Sequence, residues 1–192
     1  MPTIIRDDLS DRLIHLTKGE PEQALVSFVS IINQRKLIGG TGFIKGQHRC
    51  VCFSEAPISK VGFLLAHPRG EVKYKPFGVM FRKSWIYKKG GRPVFYQADD
   101  DYAKLPSELQ HLHVRFDLSY SPPTDHTWER EWRLRVDELR FGPDDVSLIL
   151  PNRAALDSVI EEHQSTATPF PWRYILLEDL GVPVNHGITT GS

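Results

Sequence analysis

Two hydrophobic periodicities run along this chain and predict a mixture of helices and strands. Apolar side chains recur at helical spacing between Pro21 and Lys36, and 152–162 shows a similar helical pattern. Short apolar runs rich in β-branched and aromatic residues are typical of strands instead. The predicted strands are Leu13–Leu16, Cys50–Phe53, Pro76–Trp85, Arg92–Tyr96, His113–Leu118, Glu129–Leu139 and Val146–Leu150.

Prolines and glycines mark the predicted element boundaries. Pro21 suits the first turn of a helix, and we expect this helix to end before Gly39–Gly40, where a left-handed cap is easily formed. A short helix is predicted after Pro57, and Lys88–Gly91 is predicted to form a turn. Since helices and strands do not alternate as regular βαβ units, the pattern favours an α+β fold with a mixed or largely antiparallel sheet.

The composition is that of one globular domain. The chain has 192 residues, of which 40% are hydrophobic and 25% charged, and such a chain can bury a core of normal size. We therefore expect 1–192 to form a single domain. Its core is predicted to span about 11–180, and the polar tail at 188–192 is predicted to be frayed.

The charge balance gives no global electrostatic reason to bind nucleic acid or membranes. Lys plus Arg number 24 and Asp plus Glu number 24, so the formal net charge is zero. The first residues lack the apolar stretch of a signal peptide, and no apolar run approaches the length of a membrane span. Cys50 and Cys52 are interpreted as small core residues in a reducing compartment. We predict a cytoplasmic protein without membrane association and without a metal site.

The segment from Glu129 to Asp137 contains the best candidates for catalysis. On a strand, Glu129 and Glu131 would share one charged face with Arg133, while alternate residues pack on the core. One carboxylate could bond a ribose hydroxyl and stabilise positive charge on the sugar, while the other orients or deprotonates a nucleophile. The alternative is a solvated charge ladder in which Glu131 simply pairs with Arg133 and contributes little.

Other candidate residues are spread along the chain. His15 lies inside an apolar strand and is either a core residue or a functional one. The ring of Tyr87 or Tyr96 could stack on a flat heterocycle or simply pack within the fold. Ser54 could bond a ribose hydroxyl, or it could cap the helix predicted after Pro57.

Two common nucleotide-binding motifs are missing from the sequence, and this restricts the kind of cofactor site. Neither a P-loop nor the Gly-x-Gly-x-x-Gly fingerprint after a strand is present in the sequence. Any nicotinamide cofactor would therefore be bound by something other than a Rossmann fold. The pair His111-x-His113 lacks partners at zinc-type spacing and is expected on the surface.

The order of the candidate residues resembles the layout of the ADP-ribosyltransferase superfamily. His15 lies in a first strand and is followed by a helix, by Ser54 after a strand, by aromatic strands over Tyr87–Tyr96, and by Glu129-x-Glu131 on a late strand. This resemblance implies a split sheet with flanking helices. It also implies a cleft that binds NAD and is lined by an early His or Arg, a central Ser or Tyr, and a late Glu.

The start of the chain is similar to that of the DarT-like nucleic-acid ADP-ribosyltransferases. The similarity covers Ile14-His15-Leu16-Thr17, the helix that follows, and Leu37-Ile38-Gly39-Gly40. It places Thr17 beside His15 among the residues implied to bind NAD. The superfamily resemblance also implies an arginine that clamps the NAD phosphates. No motif identifies this arginine, and Arg49 is our candidate.

Three other stretches resemble the bacterial abortive-infection family AbiGi. They are Cys52–Pro57, the region from Phe77 to Tyr96, and Trp128-Glu129-Arg130-Glu131-Trp132-Arg133. This resemblance covers most of the chain, roughly His15 to Pro151. It implies a role in phage defence and does not imply a particular reaction.

The resulting hypothesis is an enzyme that consumes NAD as a substrate and transfers ADP-ribose to a macromolecule, either nucleic acid or protein. Glu131 would bond the ribose 2′-hydroxyl, Glu129 would activate the acceptor, His15 would bond a ribose, and Tyr96 or Tyr87 would hold nicotinamide. One alternative is a non-catalytic binding module of a phage-defence or toxin–antitoxin system, acting with a partner protein. A metal-dependent nuclease would need more carboxylates than the sequence places together.

Overall fold

The protein has a mixed α+β fold, as the sequence predicts. The structure, a computed structural model, describes residues 8–66, 73–164 and 169–181, so the predicted tail at 188–192 lies outside the described residues. The strands are β1 (Arg12–Lys18), β2 (Lys36–Ile38), β3 (Cys50–Ser54), β4 (Tyr74–Arg82), β5 (Arg92–Pro93), β6 (Phe95–Gln97), β7 (His113–Arg115), β8 (Glu131–Arg135), β9 (Glu138–Arg140), β10 (Val146–Leu150) and β11 (Arg173–Leu176). The helices are α1 (Pro21–Gln34), α2 (Ile58–Ala66), α3 (Lys83–Lys88) and α4 (Arg153–Gln164).

The chain divides into two compact units, each built from several separate segments. The described part of the first unit comprises 8–13, 37–56 and 82–140. The described part of the second unit comprises 14–36, 57–66, 73–81, 141–164 and 169–181. That the chain forms a single domain stays a prediction.

The second unit contains a sheet with the strand order β11-β10-β4-β1. Strand β10 runs parallel to β11 and antiparallel to β4, so this sheet is mixed. Helix α1 packs on β4, where the rings of Phe28 and Phe77 lie 5.8 Å apart and are both fully buried. Asn152 caps α4 by accepting a hydrogen bond from the backbone N–H of Ala155.

The first unit contains the strand order β3-β8-β5, with all pairs antiparallel. Two further strand pairs, β2 with β9 and β6 with β7, complete its strands. The register runs from Cys50 opposite Arg135 to Ser54 opposite Glu131. Side chains therefore alternate between two faces of β3 and β8. The apolar face carries Val51, Phe53, Trp132 and Leu134, all of them buried.

Helix α1 ends at Gln34, before Gly39–Gly40 as predicted, but the left-handed residue that ends it is Arg35, with φ 52°, and β2 follows at once. Two predicted boundaries are wrong. Strand β4 ends at Arg82, and α3 occupies residues predicted as strand and turn. The predicted strand over Glu129–Leu139 is divided between β8 and β9, with Glu129 outside both.

Candidate functional site

A tight turn precedes β8 and changes the direction of the chain at Glu129. Residues Thr127–Glu129 form a 3₁₀ turn, and Arg130 then takes a left-handed conformation with φ 44°. Asp125 stabilises this turn by accepting hydrogen bonds from the backbone N–H and the hydroxyl of Thr127. Because the turn breaks the strand alternation, the prediction that Glu129 and Glu131 share one strand face is wrong.

Hydrogen bonds join this turn to the end of β3. The hydroxyl of Ser54 donates to the backbone carbonyl of Glu129 at 2.6 Å, and the N–H of Glu55 donates to the carbonyl of Arg130 at 3.1 Å. Ser54 also accepts from the N–H of Ala56 at 3.1 Å. Helix α2 begins only at Ile58, so Ser54 belongs to this turn and does not cap the helix.

Glu131 forms a buried ion pair with Arg133. Its two carboxylate oxygens accept from Nε and Nη2 of Arg133 at 2.8 and 3.3 Å. The side chains are 14% and 4% exposed. Nη1 of Arg133 donates to the carbonyls of His111 and His113. Burial opposes the charge of Arg133, but its hydrogen bond and ion pair with Glu131 outweigh that effect and raise its pKa. The predicted alternative, a Glu131–Arg133 pair, is therefore present, but it is buried and not a solvated ladder.

Tyr96 lies directly against the glutamate segment. Its hydroxyl oxygen accepts a hydrogen bond from the backbone N–H of Glu131 at 3.0 Å. Burial raises the pKa of Tyr96 to about 12, and the charges of Glu131 and Glu129 act in the same direction. Tyr87 has a different environment, since its ring is 54% exposed and lies 4.1 Å from the guanidinium of Arg92.

Cys52 also reaches this region, because it is the cross-strand partner of Arg133. Burial raises the pKa of the Cys52 thiol to about 12, and a hydrogen bond with the carboxylate of Glu131 adds to the effect. Burial likewise raises the pKa of Cys50. Both cysteines are free. They are therefore neutral thiols at neutral pH, which makes either of them a poor nucleophile.

Two buried carboxylates, Glu55 and Glu129, lie beside the residues described above. Glu55 accepts from the indole N–H of Trp132 at 2.7 Å and from Nζ of Lys83 at 2.5 Å. Glu129 is 8% exposed. Glu55, Lys83 and Trp132 are not among the candidate site residues predicted from the sequence. A tryptophan in a strand needs a partner for its indole N–H, but no local pattern identifies a glutamate 77 residues away.

His111 and His113 are buried, so their predicted surface location is wrong. They lie over the polar side of β8 because Arg133 bonds their backbone carbonyls. The rings of His48 and His111 meet edge to face at 6.1 Å. Burial, and next the charge of Arg135, lower the pKa of His111.

Arg49 lies at the other end of the β3–β8 pair from Ser54 and Glu131. Its carbonyl accepts from the N–H of Val136, and its guanidinium pairs with Asp137 at 3.3 Å. Ser54 follows Arg49 by five positions along the chain, which corresponds to about 16 Å at the usual rise of a strand. Arg49 is thus not one of the residues that the first unit gathers around Glu131.

His15 and Thr17 belong to the second unit, on β1. Thr17 is buried, and its hydroxyl donates to the carbonyl of Phe77 at 3.0 Å. The side chain of His15 is partly exposed. Strands β1 and β4 pack closely here, since a Cβ atom on Gly78 would lie 2.3 Å from the carbonyl oxygen of His15.

Comparisons with protein-family models, curated proteins and solved structures found no match to this chain. Within the described ranges, no group of three or more His, Cys, Asp or Glu residues is placed to hold a metal ion. No helix in the same ranges is long and apolar enough to cross a membrane.

Proposed function

We propose that the protein cleaves the nicotinamide–ribose bond of NAD and transfers ADP-ribose to a macromolecular acceptor, as a cytoplasmic effector of phage defence. Four predicted site residues that lie together in the first unit carry this proposal. They are Ser54, Tyr96, Glu129 and Glu131, which we call the glutamate cluster. Their hydrogen bonds connect parts of the chain that are far apart in sequence.

The proposed step is a displacement at the ribose C1′ atom. The bond from C1′ to the nicotinamide nitrogen breaks, and its electron pair leaves with neutral nicotinamide. A nucleophilic atom of the acceptor then bonds C1′ and loses its proton to Glu129. Positive charge develops on the sugar in the transition state, and a fixed carboxylate such as Glu131 stabilises it.

The ion pair with Arg133 leaves Glu131 able to take part. A carboxylate offers about four acceptor positions. Arg133 occupies two of them and the Cys52 thiol one. One position remains for a ribose 2′-hydroxyl. The same contacts hold the carboxylate in a fixed orientation, and such preorganisation makes electrostatic stabilisation effective.

The other predicted residues have narrower roles in this proposal. Tyr96 is better placed than Tyr87 to contact nicotinamide, because its hydroxyl is bonded to Glu131. Ser54 would have to exchange its bond with the Glu129 carbonyl for a ribose hydroxyl. His15 and Thr17 remain candidate contacts for the rest of NAD. The acceptor is nucleic acid or protein, and an antitoxin or defence partner would control the activity.

The first test is nicotinamide release from NAD by the purified protein and by Glu131→Gln. We expect turnover to fall by about a hundredfold or more, since removing one stabilising group typically has an effect of this size. Glu138→Gln is a matched control, because Glu138 pairs with Arg140 at the same strand spacing but on the surface. We expect that control to retain wild-type turnover. Full activity of Glu131→Gln would overturn the assignment.

A second candidate function is a non-catalytic binding module of a defence or toxin–antitoxin system. The bidentate contact between Glu131 and Arg133 favours it, because a carboxylate with this partner has a structural role without any substrate. If the protein is such a module, it should release no nicotinamide, and its melting temperature should not rise when NAD is added. Release that depends on Glu131 would exclude it.

A further inference from the structure

The first unit contains a polar pocket at the end of β3 and β8 away from the glutamate cluster. Its volume is about 320 Å³, which lies within the range of small-molecule sites. We call it the arginine pocket. It is lined by Gln47, His48, Arg49, Arg135, Val136 and Asp137.

Arg135 presents an exposed positive charge to this pocket. Its guanidinium makes no hydrogen bond or ion pair with the residues that the structure describes. Arg49 makes one contact, between its Nε and Asp137 at 3.3 Å, and both side chains are largely exposed. Exposed pairs of this kind are weak, so Arg49 can exchange Asp137 for a stronger anionic partner.

A rigid loop positions the other polar lining residues. Gly46 and Gln47 adopt left-handed conformations with φ 75° and 56°. A Cβ atom at Gly46 would lie 2.6 Å from the hydroxyl of Tyr102, and the positive φ would strain any side chain there. Lys45 pairs with Asp99 at 2.5 Å. A non-glycine residue keeps such a conformation only where the surroundings enforce it, and Gln47 and His48 are therefore held beside the pocket.

The chemistry of the lining selects for a phosphate. A guanidinium binds phosphate through paired, charge-assisted hydrogen bonds. Gln47 and His48 can add further donors, and Val136 provides the one apolar side chain of the lining. The local positive charge also affects a neighbouring group. Burial is the main cause of the lowered pKa of His111, and the charges of Arg135 and His48 lower it further.

We propose that the arginine pocket binds the phosphate of a nucleotide or polynucleotide, with Arg135 and Arg49 as its charged donors. The zero net charge of the chain means that this binding depends on the local pair of arginines and not on the overall field. The pocket lies about 16 Å from Glu131 along the strands. The inference therefore does not depend on the proposed NAD chemistry.

The experiment measures binding of inorganic phosphate, of AMP and of a short single-stranded DNA to the full chain by calorimetry at low salt. We expect Arg135→Gln to weaken binding by tenfold or more, as losing a charged hydrogen-bond partner usually does. We expect Asp137→Asn to tighten it several-fold, because the carboxylate that competes for Arg49 is removed. Altered folding would weaken binding in both variants, so it does not explain an affinity that falls in one and rises in the other.

Two surface variants provide matched controls on β9. Arg140→Gln and Glu138→Gln make the same charge changes outside the pocket, and both should bind within about twofold of wild type. If phosphate and AMP bind as tightly as DNA does, the ligand is a small phosphate compound. If DNA binds much more tightly, the ligand is a polynucleotide. Its binding constant should then fall by about 0.7 log units per phosphate contact for each tenfold rise in salt concentration.

Binding that is unchanged in both Arg135→Gln and Asp137→Asn, or that falls equally in the β9 controls, would overturn the proposal. So would the lack of binding by all three probes. A failure to release nicotinamide would leave this result untouched, and the two proposals can therefore fail separately.

Discussion

At the scale of single residues, Arg133 joins separate segments of the first unit. It is buried, and it donates hydrogen bonds to the carboxylate of Glu131 and to two backbone carbonyls. These contacts attach the segment around His111 and His113 to the polar face of β8. A buried ion pair adds little to stability compared with apolar residues, but losing one of its partners is strongly destabilising.

We therefore expect Arg133→Met to lower the free energy of unfolding by about 3–5 kcal/mol. The variant leaves the carboxylate of Glu131 buried without its partner, and it removes the donor to the carbonyls of His111 and His113. Urea unfolding followed by tryptophan fluorescence measures the change. Arg140→Met is the control, since its ion pair with Glu138 is exposed and contributes less than about 1 kcal/mol. Equal losses in the two variants would contradict the structural role of Arg133.

At the scale of elements, close packing of backbones fixes how the strands of the second unit meet. Gly78 lies in the middle of β4, where an added Cβ atom would be 2.3 Å from the carbonyl oxygen of His15 and 2.8 Å from Leu16. A backbone carbonyl in a strand cannot move aside cheaply. The hydrophobic pattern predicts both β1 and β4. It does not predict the close contact between Gly78 and His15, because glycine has no side chain and does not contribute to that pattern.

Gly78→Ala should destabilise the protein by about 1–3 kcal/mol, the usual effect of overpacking a core. We expect the melting temperature to fall by several degrees, as differential scanning calorimetry would record. Gly40→Ala is the matched control, because a Cβ atom at Gly40 meets nothing within 4 Å. A fall at Gly40 as large as that at Gly78 would contradict the contact with His15 as the cause of the effect.

At the scale of the whole molecule, we expect stability to depend on pH through the buried His111. Burial and the charge of Arg135 lower the pKa of His111 in the folded protein. Around pH 6 the unfolded chain therefore binds more protons than the folded one, and stability decreases as the pH falls.

We expect the free energy of unfolding to be highest above about pH 6.5, the ordinary pKa of histidine, and to decrease as the pH falls below it. Urea titrations at pH 7.5, 6.5 and 5.5 measure this dependence. His111→Asn should lose less stability over the same range, while the variant His126→Asn, at an exposed position, should follow the wild type. Parallel curves for all three proteins would rule out His111 as the source.

The sequence by itself determined the elements whose pattern is local. Apolar periodicity and Pro21 were sufficient to predict β1 and α1, and the run before Pro151 predicted β10. The mixed α+β class follows from the same information, because a helix or strand with one buried face has apolar residues at regular spacing in the sequence. Residue type and position also predict Ser54, Tyr96 and the two glutamates as candidate site residues.

The tertiary structure decided which of the charged residues are buried and what they bond. Arg130 turns the chain with a positive φ and separates Glu129 from β8. The indole of Trp132 bonds Glu55, 77 residues away, and Arg133 bonds carbonyls 20 and 22 residues away. The physical reason is that a buried charge or donor is stable only with its hydrogen-bond partners. Those partners come from distant segments, and no local pattern records them.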